Sequence, residues 1–267
     1  SLTLSTASPN TEGFQFRTYL QGGPLPTFPS PLPFPVYWNH AAITPTALDS
    51  VKLFLSGSDG PYLLEYSAEN FAQLLEPRHT ASFILDNTAP VVSISSPHAI
   101  LYTHSSVLTL DYLVDDGTGS GVASSVPSMD GAATLPGGVG LQSGQALHLL
   151  SELSLGPHTF KVTARDNLNN ARTESVSFTV TVTPGSIEQD VVQFRQNNAI
   201  KNAGLASSLT AKLKAAATAR TAGHCSVASN KYHAFITQLQ GQSSTGVTAA
   251  AAAIMIADAQ YLISHCP

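Results

Sequence analysis

At Pro184 the spacing of apolar residues along this chain changes from about two to nearly four. Alternation by two belongs to strands and a repeat near 3.6 to helices, so one architecture cannot serve both sides of that proline. The residues before it predict short strands with Gly, Pro, Asn and Asp punctuation. After it, Ser186-Ile187-Glu188-Gln189 fits a capping box, and Leu205, Leu209 and Leu213 fall on one helical face that Gly223 ends. Phe235, Ile236 and Leu239 mark a second helix, and Thr248 to Ser264 a third. Ile254, Met255, Ile256, Tyr261, Leu262 and Ile263 cannot share one narrow stripe, which predicts that the third helix is central to a bundle.

The 267 residues are too many for a single sandwich and suit three units, over 1–86, 87–183 and 184–267. In the first, Phe14 to Leu20, Ser50 to Leu55 and Thr80 to Leu85 read as strands, and Ser67 to Leu75 as a short capped turn of helix. Pro24, Pro26, Pro29, Pro31, Pro33 and Pro35 lack amide donors and predict an extended loop. In the second, strands are expected at Val91 to Ser95, Val107 to Val114, Leu147 to Leu153, His158 to Asp166 and Val176 to Val182, with a Gly-rich hairpin region around Pro136-Gly137-Gly138. The fold class is therefore multidomain, an all-β N-terminal part that includes a β-sandwich followed by a small all-α bundle.

Two resemblances sharpen this reading. Leu85-Asp86-Asn87-Thr88-Ala89-Pro90, the turn Asp116-Gly117-Thr118-Gly119-Ser120-Gly121-Val122, and the run Gly156-Pro157-His158-Thr159-Phe160 through Asp166-Asn167-Leu168-Asn169-Asn170 resemble bacterial Ig-like modules. The helical segment resembles the FIMAH domain found at the C-termini of many bacterial extracellular proteins, through Phe235, Ile236, Met255, Ala257 and His265. These resemblances imply an Ig-like β-sandwich over 87–183, a FIMAH-like bundle over 184–267, and spacer, display or adhesion roles at an extracellular or cell-surface address.

Charged residues make up 11% of the chain against roughly 25% in an average domain, with an ordinary 43% of hydrophobics, a balance common in secreted proteins. The net charge of -5, without a Lys/Arg cluster, excludes nucleic acid as an expected partner. The apolar run from Val247 to Ala257 is shorter than the roughly 20 residues of a membrane span, so none is expected. With no leader-like start, the chain reads as a fragment or processed C-terminal portion of a larger precursor. Cys225 and Cys266 have no competing thiol, and their pairing would close a loop of about 41 residues, a structural disulfide suited to an oxidising compartment. A zinc site with the adjacent His224 and His265 is the alternative, against which the spacing speaks.

No nucleophile elbow, P-loop, zincin or dinucleotide motif is present, and the expectation is a chain without enzymatic activity. No cofactor is expected except calcium, for which Asp115, Asp116, Asp166 and Asn167 supply oxygen ligands from two turns; turn hydrogen bonding is the competing role of the same residues. Asp258 and His265 are seven apart and permit a polar pair at the bundle surface. Tyr37, Trp38 and His40 combine aromatic faces with hydrogen-bonding groups, as a sugar-stacking site requires, while a core role for Trp38 competes. Three functions fit: an accessory region joined to upstream domains, a structural subunit of an extracellular assembly docking neighbouring copies, or a carbohydrate-binding module.

Overall fold

The computed structural model describes residues 2–5, 11–22, 50–53, 57–70, 74 and 76–266. The strands are β1 (Leu2–Ser5), β2 (Thr11–Leu20), β3 (Ser50–Leu53), β4 (Gly60–Asn70), β5 (His79–Leu85), β6 (Val91–Ser96), β7 (Leu101–Thr103), β8 (Val107–Thr109), β9 (Asp111–Asp115), β10 (Val122–Met129), β11 (Ala146–His148), β12 (Gly156–Asp166) and β13 (Ala171–Thr181). A single turn, α1 (Leu149–Glu152), interrupts them, and α2 (Pro184–Gln196), α3 (Ala203–Thr221), α4 (Cys225–Gln242) and α5 (Ala249–Ser264) follow. Strands up to Thr181 and helices from Pro184 are the order the change of period requires.

Two compact units arise, and each draws on separate stretches of sequence. One comprises Ser1–Val91, Val114–Ser125 and Ala164–Arg172. In it β1 pairs antiparallel with β3, and β4 lies between β2 and β5 in an antiparallel sheet. Cross-strand neighbours stack there: Tyr62 on Phe83 with ring centroids 5.6 Å apart, and Tyr66 against His79 at 5.4 Å. Ser67 to Asn70, expected as a helical turn, instead continue β4, because Ser67 and Ala68 are in register with Gln15 and Phe14 of β2. The ladder takes their amides, and pairing overrides a local capping preference.

The other unit comprises Val92–Leu113, Val126–Thr163 and Thr173–Pro267. Its main sheet has the order β10-β12-β13-β7, the last pair parallel, with β6-β9 and β8-β11 as two-stranded sheets. Strand β12 shows the alternation most plainly, burying His158, Phe160 and Val162 and, in the residues it gives to the first unit, Ala164 and Asp166. The single strand expected over Val107 to Val114 is two strands. Buried Leu110 gives its amide to the Gln145 carbonyl and accepts from Gly144, so β8 pairs with β11 while β9 passes to β6. Leu147 to Leu153 likewise ends as a strand at His148; Leu149, Leu150 and Leu153 bury themselves at helical spacing through α1.

Four helices close the chain where three were expected. Asn197 to Asn202 separate α2 from α3: Asn198 takes a left-handed φ of 63°, and Asn202 caps α3 by accepting the Leu205 amide at 2.7 Å. The α2 cap is Thr183, which accepts from the Ser186 amide, while the Ser186 hydroxyl receives the Thr183 amide. Ser186 and Gln189 are not the box, because Pro184 without an amide proton suits the first helical position and moves the cap back to Thr183. The helices pack in the cycle α2-α3-α4-α5, so α5 is one of four rather than the centre. Its buried stripe is Ala251, Ala252, Met255, Asp258, Ala259 and Leu262, and small residues let it approach its neighbours closely. Cys225, the first residue of α4, is disulfide-bonded to Cys266 just past α5, with Cα atoms 5.9 Å apart. Arg220 from the last turn of α3 donates to the Leu262 and His265 carbonyls, satisfying the end of α5.

Candidate functional site

Three carboxylates meet in the first compact unit. Asp86 follows β5, Asp116 lies in the turn after β9 and Asp166 ends β12; one oxygen from each lies within 4.8 Å of the others. Backbone amides hold the three in place. Asp86 accepts from Ser120 at 2.7 Å and Thr88 at 3.3 Å, Asp116 from Gly121 at 2.7 Å, and Asp166 from Leu168 and Asn170 at 2.8 and 2.9 Å. The Asn170 side chain bridges the Asp166 carboxylate at 2.7 Å and the Asp86 carbonyl at 3.3 Å. Gly119 lets the group close. A Cβ there would sit 2.6 Å from Asp116 Oδ2 and 2.9 Å from Asp86 Oδ2, so any other residue would push these carboxylates out of place.

The expected ligands divide. Asp116 and Asp166 stand in the cluster, and Asp86 joins them. Asp115 is exposed and accepts from the Gly117 amide at 3.0 Å. Asn167 spends its side-chain amide on the Ser120 and Gly121 carbonyls, at 2.7 and 3.1 Å, pinning the turn that carries Asp116. Burial together with the charges of Asp86, Asp166 and Asp115 raises the pKa of Asp116. Asp86 is lowered: burial opposes its charge, but hydrogen bonds from Ser120 and Thr88 prevail. No ion pair joins any of the three to Lys or Arg among the described residues. Hard oxygen donors in this arrangement suit Ca2+, which takes six to eight oxygens.

A second group of ionisable side chains lies buried in the other unit. Asp190 on α2 and Asp258 on α5 are both 0% exposed, and His104, in the turn after β7, is 4% exposed. His104 Nδ1 is 2.8 Å from Asp258 Oδ1, and Nε2 is 3.0 Å from the Leu153 carbonyl. Asp258 is thus not paired with His265 at the bundle surface; His265 bonds the Tyr261 carbonyl and Ser264, and its ring stacks on Tyr261 at 4.0 Å. The apolar stripes of α2 and α5 carry these aspartates inward. His158 repeats the pattern, with Nδ1 2.6 Å from Asp130 and Nε2 2.7 Å from the Ser154 carbonyl.

The sequence singles out Asp258 only as a surface residue and does not single out Asp190 or His104, although the signal for the burial of both aspartates is present. Asp190 falls between Ile187, Val191 and Phe194, and Asp258 between Met255, Ala259 and Leu262, so both sit on a buried stripe. Asp86 stood in the recognised junction motif without being weighed as a ligand. Tyr37, Trp38 and His40 lie outside the described residues.

Residues 184–264 match the family model of the FIMAH domain, a span that begins and ends with the four-helix bundle. Among solved structures, fibronectin(III)-like modules of Clostridium thermocellum CbhA are similar at 14% identity over 67% of this chain and 84% of theirs, with a TM-score of 0.28. PcdhgB3 EC1-4 is similar at 8% identity over 67% of this chain and 41% of its own, with a TM-score of 0.23. Scores this low assign no fold to the β part. No curated protein matches the chain.

Proposed function

We propose that this chain is a non-catalytic accessory region of a secreted or cell-surface bacterial protein, a set of β modules ended by a FIMAH bundle that spaces, displays or anchors its neighbours. The observation that carries the reading is the FIMAH match over all four helices. The Cys225–Cys266 bond supports an oxidising compartment, and no helix among the described residues is long and apolar enough to cross a membrane. Fractionation of the source cells followed by peptide mass spectrometry tests it. Peptides of this chain in the extracellular or surface fraction, with the two cysteines joined, are the expected result; a cytosolic protein with free thiols would sink the reading.

Calcium belongs to the same reading, because a module array exposed to millimolar Ca2+ outside the cell gains rigidity from a weak site. Asp86, Asp116 and Asp166 would be its ligands, and Asn167 and Asn170 would hold the turns that present them. A dissociation constant in the usual extracellular range makes 10 mM Ca2+ worth roughly 1.5–2.5 kcal/mol. Thermal denaturation is therefore expected to shift up by several degrees on adding CaCl2, to return with chelator, and to lose the shift in Asp116→Asn. Identical midpoints with and without calcium would remove calcium from the account.

A further inference from the structure

The turn after β7 docks onto the helical bundle through a small set of polar contacts. His104 reaches Asp258 of α5, the Ser105 hydroxyl donates to Gln189 of α2 at 3.1 Å, and Gln193 of α2 donates to the Ser105 carbonyl at 3.0 Å. The His104 amide is bonded to the Thr181 carbonyl at 2.8 Å, and the Thr181 hydroxyl donates to Tyr261 of α5 at 3.3 Å. One of these contacts differs in kind from the rest. Asp190 of α2, which packs against α5, adjoins Asp258 closely enough to feel its charge, and neither oxygen of Asp190 nor the second oxygen of Asp258 accepts a hydrogen bond from any described donor.

Two fully buried carboxylates facing each other without donors would be prohibitively unstable, since burying one unpaired charge already costs several kcal/mol. A single proton resolves the arrangement: Asp190 as a neutral acid donates to Asp258, which keeps its charge. At its other end Asp258 needs a donor. Because Nε2 of His104 is turned to the Leu153 carbonyl, Nε2 carries a hydrogen, and Nδ1 donates to Asp258 only when the ring is an imidazolium. The buried group then comprises a cation, an anion and a neutral acid, with no net charge.

We propose that His104, Asp258 and Asp190 form a proton-gated clamp, which holds α2 and α5 against the β7 turn while both protons are present and releases that turn when they leave. Electrostatics point the same way. Burial and the adjoining Asp258 push the Asp190 pKa up to about 9. Burial disfavours the His104 imidazolium, but the hydrogen bond to Asp258 and its charge outweigh burial and raise the ring's pKa. Both folded-state values exceed their unfolded ones, so folding takes up protons. The Asp190 contribution is complete only below the ordinary carboxyl range and declines from there until pH passes about 9, while that of His104 is complete below the ordinary histidine range and is lost above it.

The other ionisable groups on the packed elements are engaged elsewhere. Arg220 of α3 is bonded to the Leu262 and His265 carbonyls, and Lys212 to Ser208 and Gln238. Tyr232 of α4, buried and without a hydrogen-bond partner, feels Arg220 and Glu188 of α2, and Glu152 of α1 accepts from the His148 amide. Asp130 pairs with His158. None of these groups exchanges a hydrogen bond with the three.

The test is a carbon NMR titration of aspartate carboxyls, together with amide exchange at His104 and Ser105, in the whole chain and in Asp190→Asn. An asparagine there keeps the shape and the donor while removing the titration. In the unaltered chain one carboxyl is expected to titrate above pH 8 and to be missing in the variant. Protection of the two amides should fall at least tenfold from pH 6 to pH 9.5, after correction for intrinsic exchange, and fall distinctly less in the variant, which keeps only the His104 titration. The thermal midpoint of the unaltered chain should drop by roughly 10 °C more than the variant's over the same range. If every aspartate titrates below pH 5, or if protection at His104 and Ser105 does not change with pH, the clamp does not exist. The titration of the unaltered chain decides the matter even if the variant fails to fold.

Discussion

Breaking the Cys225–Cys266 bond is expected to destabilise the helical bundle by about 4 kcal/mol, the chain-entropy value for a closed loop of this size. That loop encloses α4 and α5 almost entirely, from the first residue of α4 to the residue two past α5. Released, the C-terminus keeps the Arg220 bonds to the Leu262 and His265 carbonyls, so the native fold survives under mild conditions. The bond acts mainly on the unfolded chain, which regains freedom on reduction. Helical circular dichroism followed through urea denaturation, with and without reductant, reads the effect directly. A lower midpoint with an unchanged folded spectrum is expected, and Cys225→Ser should reproduce it without reductant. A reduced protein as stable as the oxidised one would show that the tie adds nothing to what Arg220 and the core already hold.

Phe235→Ala is expected to cost about 3–5 kcal/mol, the range for truncating a buried aromatic ring. Phe235 is 0% exposed, on the inward face of α4 with Tyr232, Ile236 and Leu239. It belongs to one continuous core that also takes Leu209 and Leu213 from α3, Val191 from α2 and Met255 from α5. A void there opens into that close-packed core, which limits how far α3 and α5 can relax into it. Val227→Ala on the same helix is the control: that side chain is 45% exposed, and its loss should change stability by less than about 0.5 kcal/mol. Denaturant midpoints of the two variants separate a core effect from a change in helix propensity. Equal effects would mean that α4 is not anchored through Phe235.

The motifs that resembled an Ig-like module proved to be the parts that build the carboxylate cluster. Asp86 from the junction, Asp116 from the Gly-rich turn and Asp166 from the β12 end converge, and Asn167 and Asn170 brace them. Turn chemistry is written locally, so the residues were legible; which of two adjacent aspartates faces inward was not. Asp115 and Asp116 differ only in which side of a short turn they occupy, and hydrogen bonds to Gly117 and Gly121 settle that after folding. The errors in the strands have one cause. Leu110 and Leu149 continue the alternation in sequence, whereas the chain changes strand partner at Leu110 and turns into α1 at Leu149, burying the leucine each time.

The order of strands then helices, the breakpoint at Pro184, the inward faces of β12 and α3, and the cysteine pair follow from spacing and residue type alone, because backbone geometry fixes those periods before any long-range contact forms. Tertiary structure decided what the polar residues inside those faces do. Asp190 and Asp258 are 68 positions apart on helices whose sequences say only that both point inward, and His104 comes from a turn 154 positions before Asp258. Their protonation depends on mutual distance and exclusion of water, and neither quantity exists until the helices have packed.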